Sequence, residues 1–393
     1  MPEAPFPRLL YIGDVPVEAS YHGSALLYRL LQDHPADRLR IMEAGLSRSL
    51  ANRRLPGVEY AFASAGTPRL LNTRFHRWYS LWLSLRSRAH VGSVAAQLAG
   101  FTPEAVVTVA HGYSWVTAAA FASLRNVPLH LIVHDDWPRI MKLPGVFSNR
   151  VERQFVRVYR QAASRLCVSP FMVEEYRRRY GVDARVLYPS RARDTPIFEA
   201  PPERLGRTCS ALTFAFAGTI NIPDYCRLLR MLAELLEARG GRVLIFGPLT
   251  TDQAAAAGLT SATIELRGLL PSDQLMKRLR AEVDVLFVPM SFAERDKANM
   301  EVSFPSKLTD YTAVGLPLLI VGPSYCSAVR WARENYGVAE VVDVDEPARL
   351  RAAVGRLSNA DYRVQLASRA LSVGARQFSN ETARQQLLSA LGA

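Results

Sequence analysis

Apolar residues along the chain fall into short continuous runs rather than strict alternation. Residues 9–12, 105–110 and 129–133 are such runs, the latter two rich in β-branched side chains, and they are closed by Gly13-Asp14, His111 and His134. Runs of this length predict parallel strands buried on both faces. Residues 167–168 and 186–188 add two shorter ones, and residues 25–31 carry the helical spacing of apolar positions. The second half repeats the scheme at 212–217, 242–246, 264–268, 283–288, 318–321 and 339–342. Helices are expected near 228–238, from Ser272 as a cap to 280, over 325–335, and through the C-terminal end. Strands alternating with helices predict an α/β fold with mostly parallel sheets and helices on both faces.

Periodicity is lost between Pro189 and Thr208, where Pro and charged residues dominate, and this stretch reads as a linker. The expected organisation is a first domain over 1–190, a linker over 191–209, a second domain over 210–375, and a helix over 376–393 packing back towards the first domain. Length agrees, since 393 residues exceed one ordinary core and suit two domains of roughly 150–200 residues. No solenoid repeat or low-complexity tract is present.

A formal net charge of +12 favours anionic partners: nucleotide phosphates, nucleic acid or an acidic membrane surface. Cys167, Cys209, Cys226 and Cys326 lack CxxC or Cys/His metal spacing and read as reduced cytosolic thiols, with no metal expected. The start, MPEAPFPRLLYIGD, lacks the basic and apolar regions of a signal peptide, so no export is expected. Residues 105–124 approach membrane-span length, but His111-Gly112-Tyr113-Ser114 interrupts them, and a strand, loop and helix fit better. Residues 69–88, RLLNTRFHRWYSLWLSLRSR, mix arginines with Phe75, Trp78, Tyr79, Trp82 and Leu85 and contain no acid. Two readings stand: a basic amphipathic element on the inner face of an anionic membrane, or a helix with its aromatics in the core and its arginines outside. Residues 150–165 and Arg177-Arg178-Arg179 add further positive charge.

The densest chemistry lies in residues 304–317, FPSKLTDYTAVGLP. Pro305 marks a loop entering a helix, and Gly315 and Pro317 end that helix before the apolar run 318–321. Backbone N–H groups at the helix start, beside Ser306 and Lys307, predict a phosphate seat. Asp310, one turn in, is placed to accept hydrogen bonds from sugar hydroxyls. Gly23, in the loop after the first strand, is either a point of close backbone approach to a ligand or an ordinary turn residue. His111 and His134 end strands, where ligands bind in open parallel sheets.

PSKLTDYTAVGLP after VDVLFVPMSF, with FAGTI opening the second half and HDDWP closing a strand of the first, resembles the family 4 retaining glycosyltransferases of GT-B fold. The resemblance implies two doubly wound Rossmann-like domains facing each other across a cleft. It implies a sugar moved from a nucleotide-diphosphate donor to a hydroxyl of a glycan, polysaccharide or lipid-linked acceptor, with no metal or other cofactor. His134 matches the family's strand-end histidine that contacts the donor sugar, and Asp135 beside it would orient the sugar or the acceptor hydroxyl. Asp310 matches the ribose-binding acid, where Glu is usual. The family's first acid falls at Glu301 or next to it, with strict spacing landing on Val302 and Glu294 a second candidate. The Arg and Lys that many members carry after the first strand of the second domain are replaced here by Gly218-Thr219-Ile220-Asn221. The Gly218-Thr219 backbone and the Thr219 hydroxyl would still meet phosphate, and the charge falls to Lys307 ahead of Arg267, Arg295 and Lys297.

Two other readings share these features. A nucleotide-sugar epimerase or phosphorylase would use the same architecture, and an anion- or nucleic-acid-binding protein would use the basic surface. The second lacks any nucleic-acid motif, and its arginines are spread over several helices.

Overall fold

The computed structural model describes residues 6–20, 22–98, 100–141, 143–208 and 211–392, without the side chain of His22. Cys209 lies outside them. The chain forms two compact units, one of Met1–Ser190 with Asn380–Ala393 and one of Arg191–Ser379.

The first unit is built on seven parallel strands: β1 (Leu9–Gly13), β2 (Leu39–Glu43), β3 (Glu59–Phe62), β4 (Ala105–Val109), β5 (Leu129–Val133), β6 (Ser164–Cys167) and β7 (Arg185–Val186). Their order is β3-β2-β1-β4-β5-β6-β7. Leu9 pairs with Leu39 on one side and Ala105 on the other. Strand order therefore reverses between β1 and β4, where doubly wound sheets bind ligands. β1, β4 and β5 are buried at every position, as the apolar runs require. β2 and β3 were not anticipated, because Arg40, Glu43 and Glu59 break their apolar text. Glu43 is nonetheless buried and accepts the Ser49 N–H at 3.0 Å.

The second unit has six parallel strands: β8 (Thr213–Ala217), β9 (Arg242–Phe246), β10 (Ile264–Gly268), β11 (Val285–Pro289), β12 (Leu318–Val321) and β13 (Ala339–Val342). Their order, β10-β9-β8-β11-β12-β13, reverses between β8 and β11. Phe214, Phe216, Val243, Ile245, Val285 and Phe287 share one core with Leu228, Leu232 and Leu236 of the helix Pro223–Glu237. The helix expected from a Ser272 cap begins at Ser272 itself, after Pro271, without a side-chain cap bond.

The stretch from Arg191 to Arg207 is held to this second unit. Arg204 bonds the Arg280 carbonyl at 2.9 Å and Asp284 at 2.8 Å. Buried Arg363 reaches the Leu205 and Arg207 carbonyls at 3.1 and 2.7 Å. Arg191 N–H donates to the Phe378 carbonyl at 2.9 Å, so the unit's two ends meet. The last helix, Asn380–Leu391, belongs to the first unit, where Ala383 and Leu387 join Leu27, Leu30 and Leu31 in the core.

Candidate functional site

In the second unit the site is assembled at the end of β8. The Tyr311 hydroxyl lies 2.6 Å from the Ala217 N–H and accepts from it, pinning the helix Lys307–Val314 to that strand end. Lys307 lies four residues earlier, on the same helix face. Its ammonium therefore reaches β8, 3.8 Å from the Phe216 ring centroid and 5.8 Å from that of Tyr225. Gly218 adjoins it, since a Cβ there would lie 3.8 Å from Nζ, and with φ of +135° the position suits glycine.

Lys307 differs from the other cations named from sequence. Arg267 pairs with Glu265 and Glu282, Arg295 with Asp296, and Lys297 with Glu294. Among the described residues no carboxylate pairs with Lys307. Burial without a counter-charge pushes its pKa down to about 7. An aromatic face stabilises the cation only weakly, and a polyanion beside Gly218 would restore the charge balance.

The helix start contributes less than expected. Leu308 and Thr309 N–H groups are taken by the Pro305 and Ser306 carbonyls at 3.0 and 3.1 Å. Ser306 is exposed and makes no capping bond. Thr219 follows Gly218 and is half-buried. Asp310 is half-buried one turn beyond Lys307. Arg191, held by the Thr309 carbonyl and the Thr312 hydroxyl, both at 3.1 Å, has its pKa pushed down to about 10 by burial, with Asp310 opposing.

Glu294 and Glu301 separate clearly. The Glu294 side chain is 84% exposed and lies 3.6 Å from Lys297, a solvated loop charge. Glu301 is half-buried in the helix Lys297–Val302, whose last residue, Val302, is buried. The loop after β11 is fixed by Asp224, which accepts from Phe292 N–H at 2.7 Å, and by Ser291 donating to Asp296 at 2.7 Å.

In the first unit, the ends of β1, β4 and β5 carry Asp14, His111 and His134. Asp14 Oδ2 accepts from the N–H groups of Tyr113 and Ser114 at 2.8 and 2.6 Å, capping the helix Ser114–Arg125 from a distant strand. Burial raises its pKa, and those bonds and His111 oppose the rise. Gly112 lies at φ +53°, and a Cβ would fall 2.2 Å from the Asp14 carboxyl carbon. Its carbonyl accepts from Trp115 and Trp137 indoles at 3.0 and 2.8 Å. The His111 and Trp137 rings lie 4.3 Å apart.

His134 is kept towards its neutral form chiefly by burial, which outweighs Asp135; His111 acts in the same direction as burial. The two acids of HDDWP have different surroundings. Asp136 is buried and receives Arg179 through both oxygens, at 3.1 and 2.9 Å, and the Tyr176 hydroxyl at 3.0 Å. Asp135 is half-buried beside His134. Gly23 sits in the first turn of the helix His22–Leu31, with an added Cβ 3.4 Å from Val15, rather than in the expected loop. Sequence reasoning passed over Asp14: Gly13-Asp14 is visible as a strand stop, but its partners lie about a hundred residues away. Among the described residues, no group of three or more His, Cys, Asp or Glu is arranged to hold a metal ion, and no helix is long and apolar enough to cross a membrane.

Residues 44–190 match the family described as Glycosyltransferase Family 4. No curated protein matches the chain in sequence. Among solved structures, Anabaena HepE in complex with UDP and glucose superposes with a TM-score of 0.65 at 15% identity, covering 98% of this chain and 99% of its own. Sucrose-phosphate synthase from Thermosynechococcus elongatus gives 0.67 at 12% identity, covering 97% of each chain. The α,α-trehalose 6-phosphate synthase of Burkholderia multivorans gives 0.66 at 12% identity, covering 98% of this chain and 96% of its own. With its two doubly wound parallel sheets the chain has the GT-B fold of these solved structures, and within it residues 44–190 resemble Glycosyltransferase Family 4.

Proposed function

We propose that this enzyme transfers a sugar, with retention and without a metal, from a nucleotide diphosphate to a hydroxyl of a glycan or lipid-linked acceptor. The observation that carries the donor assignment is the Lys307 ammonium, which lies beside the Gly218 backbone and pairs with no carboxylate among the described residues. When the anomeric C–O bond breaks, negative charge builds on the departing diphosphate. Lys307, the Gly218-Thr219 backbone and the Thr219 hydroxyl neutralise it, with Ser306 at the margin. Glu301 and Asp310 take the sugar and ribose hydroxyls. Neutral His134 donates to or accepts from the donor sugar, and Asp135 orients the sugar or the acceptor hydroxyl. The UDP held by HepE makes UDP the first base to test.

Thermal-shift screening with UDP-, GDP-, ADP- and dTDP-linked sugars is expected to single out one base. Lys307→Ala should retain the fold and lose most of that shift and most transfer activity. Unchanged catalytic efficiency in Lys307→Ala would move the diphosphate elsewhere. His134→Ala should lower turnover more than nucleotide affinity, and unaltered turnover would reduce His134 to a structural residue.

A further inference from the structure

The helix His76–Arg86 bears on the two sequence readings of residues 69–88. It buries Leu81 and Leu83 with Ser80 and Ser84, and Ser84 is held by Gln154 and Arg150 at 3.1 and 3.2 Å. Trp78 and Trp82 therefore do not lie on the core-facing side, whereas Tyr79 is half-buried and its hydroxyl accepts from the Thr67 N–H at 2.7 Å. Trp78, Trp82 and Leu85, at helical spacing i, i+4 and i+7, are 60%, 38% and 52% exposed, and Phe75 just before them is 55% exposed. Leu70 and Leu71 extend the surface onto the preceding turn, each 40% exposed.

Charge accompanies this stripe. Arg69, Arg74, Arg86 and Arg88 are exposed around it. Two lie over its rings: Arg74 is 4.9 Å from the Phe75 centroid and Arg86 4.6 Å from that of Trp82. No Asp or Glu occurs between Glu59 and Glu104. Arg77 donates to the Leu143 carbonyl at 2.6 Å and tethers the loop bearing Val146, which is 88% exposed.

We infer that this face docks on an anionic lipid bilayer, with Phe75, Trp78, Trp82 and Leu85 entering the headgroup boundary and the arginines meeting lipid phosphates. Indole rings and arginine stems suit that boundary, each having an apolar body and a polar tip. The arginines supply the electrostatic half of the affinity. A second copy of the chain fits poorly, because a self-complementary contact would set these arginines against themselves with no acid to receive them. Nucleic acid would stack on the aromatics but gain nothing from Leu70, Leu71 and Leu85. The inference stands apart from the donor site, since none of these residues is assigned to it.

The test is flotation of the full chain with phosphatidylcholine vesicles, with and without roughly one fifth phosphatidylglycerol, at low salt and at about 0.5 M salt. The protein should float with the anionic vesicles at low salt, and the bound fraction should fall with pure phosphatidylcholine or high salt. Trp78→Ser with Trp82→Ser should lower binding about tenfold or more, with the thermal melt and nucleotide-induced shift unchanged. Absence of binding to anionic vesicles at low salt overturns the inference. So does binding that the double variant retains, or a concentration-dependent dimer or RNA complex abolished by the double variant in place of vesicle binding.

Discussion

Lys307 shows how one residue's surroundings set a measurable pH response. Its folded pKa of about 7 lies below the ordinary 10.5, so between those values the unfolded chain binds the additional proton. Stability therefore rises with pH across that window, and below about 7 the full cost of burying the charge is present. Nucleotide binding has the opposite sign, because a diphosphate favours the protonated amine. Affinity is expected to weaken by about tenfold per pH unit above about 7, one proton being taken up on binding. Calorimetric titration from neutral to alkaline pH checks this: Lys307→Met should remove the slope, and a flat wild-type profile would count against diphosphate at Lys307. Lys307 was legible in the sequence because the loop, helix start and Gly-x-Pro stop lie within one short segment. Glu294 and Glu301 were not separable there, since exposure depends on how the short helix between them turns.

At the level of elements, strands buried on both faces were readable from their apolar runs, whereas β2 and β3 were hidden by charges whose partners are non-local. The Asp136–Arg179 pair was hidden for the same reason: Asp135 and Asp136 are equivalent as text, and only the packing of the helix Pro170–Tyr180 decides which one is structural. Asp14 is the strongest case of one element fixing another. Asp14→Ala would leave two N–H groups at the start of the helix Ser114–Arg125 without their acceptor, and should cost about 1–3 kcal/mol. Asp14→Asn keeps one oxygen for both donors and should cost less. Urea midpoints of the two variants measure the difference, and equal midpoints would show that the carboxylate oxygen is not the anchor.

At the level of the whole molecule, the chain leaves the first unit after Ser190 and returns to it at Asn380. The C-terminal helix is thus part of the first unit's core. Leu387→Ala should destabilise that unit by about 2–4 kcal/mol, as for other buried leucines. A fragment ending at Ser379 should melt earlier than the full chain, with the synthetic 380–393 peptide restoring part of the loss. An unchanged melt would show that the helix adds no stability.

The hydrogen bond from Arg191 to Phe378 bears on the order in which the protein assembles. While the second unit is unfolded, docking the last helix closes a loop of roughly 190 residues, an entropic cost on the order of 4–5 kcal/mol by the logarithmic length dependence. Once that unit has folded, its two ends are already 2.9 Å apart at the backbone, and the same docking proceeds almost as though the tail were a local segment. The inserted unit thereby acts as an intramolecular clasp, and disturbing its fold should loosen a helix that shares none of its core.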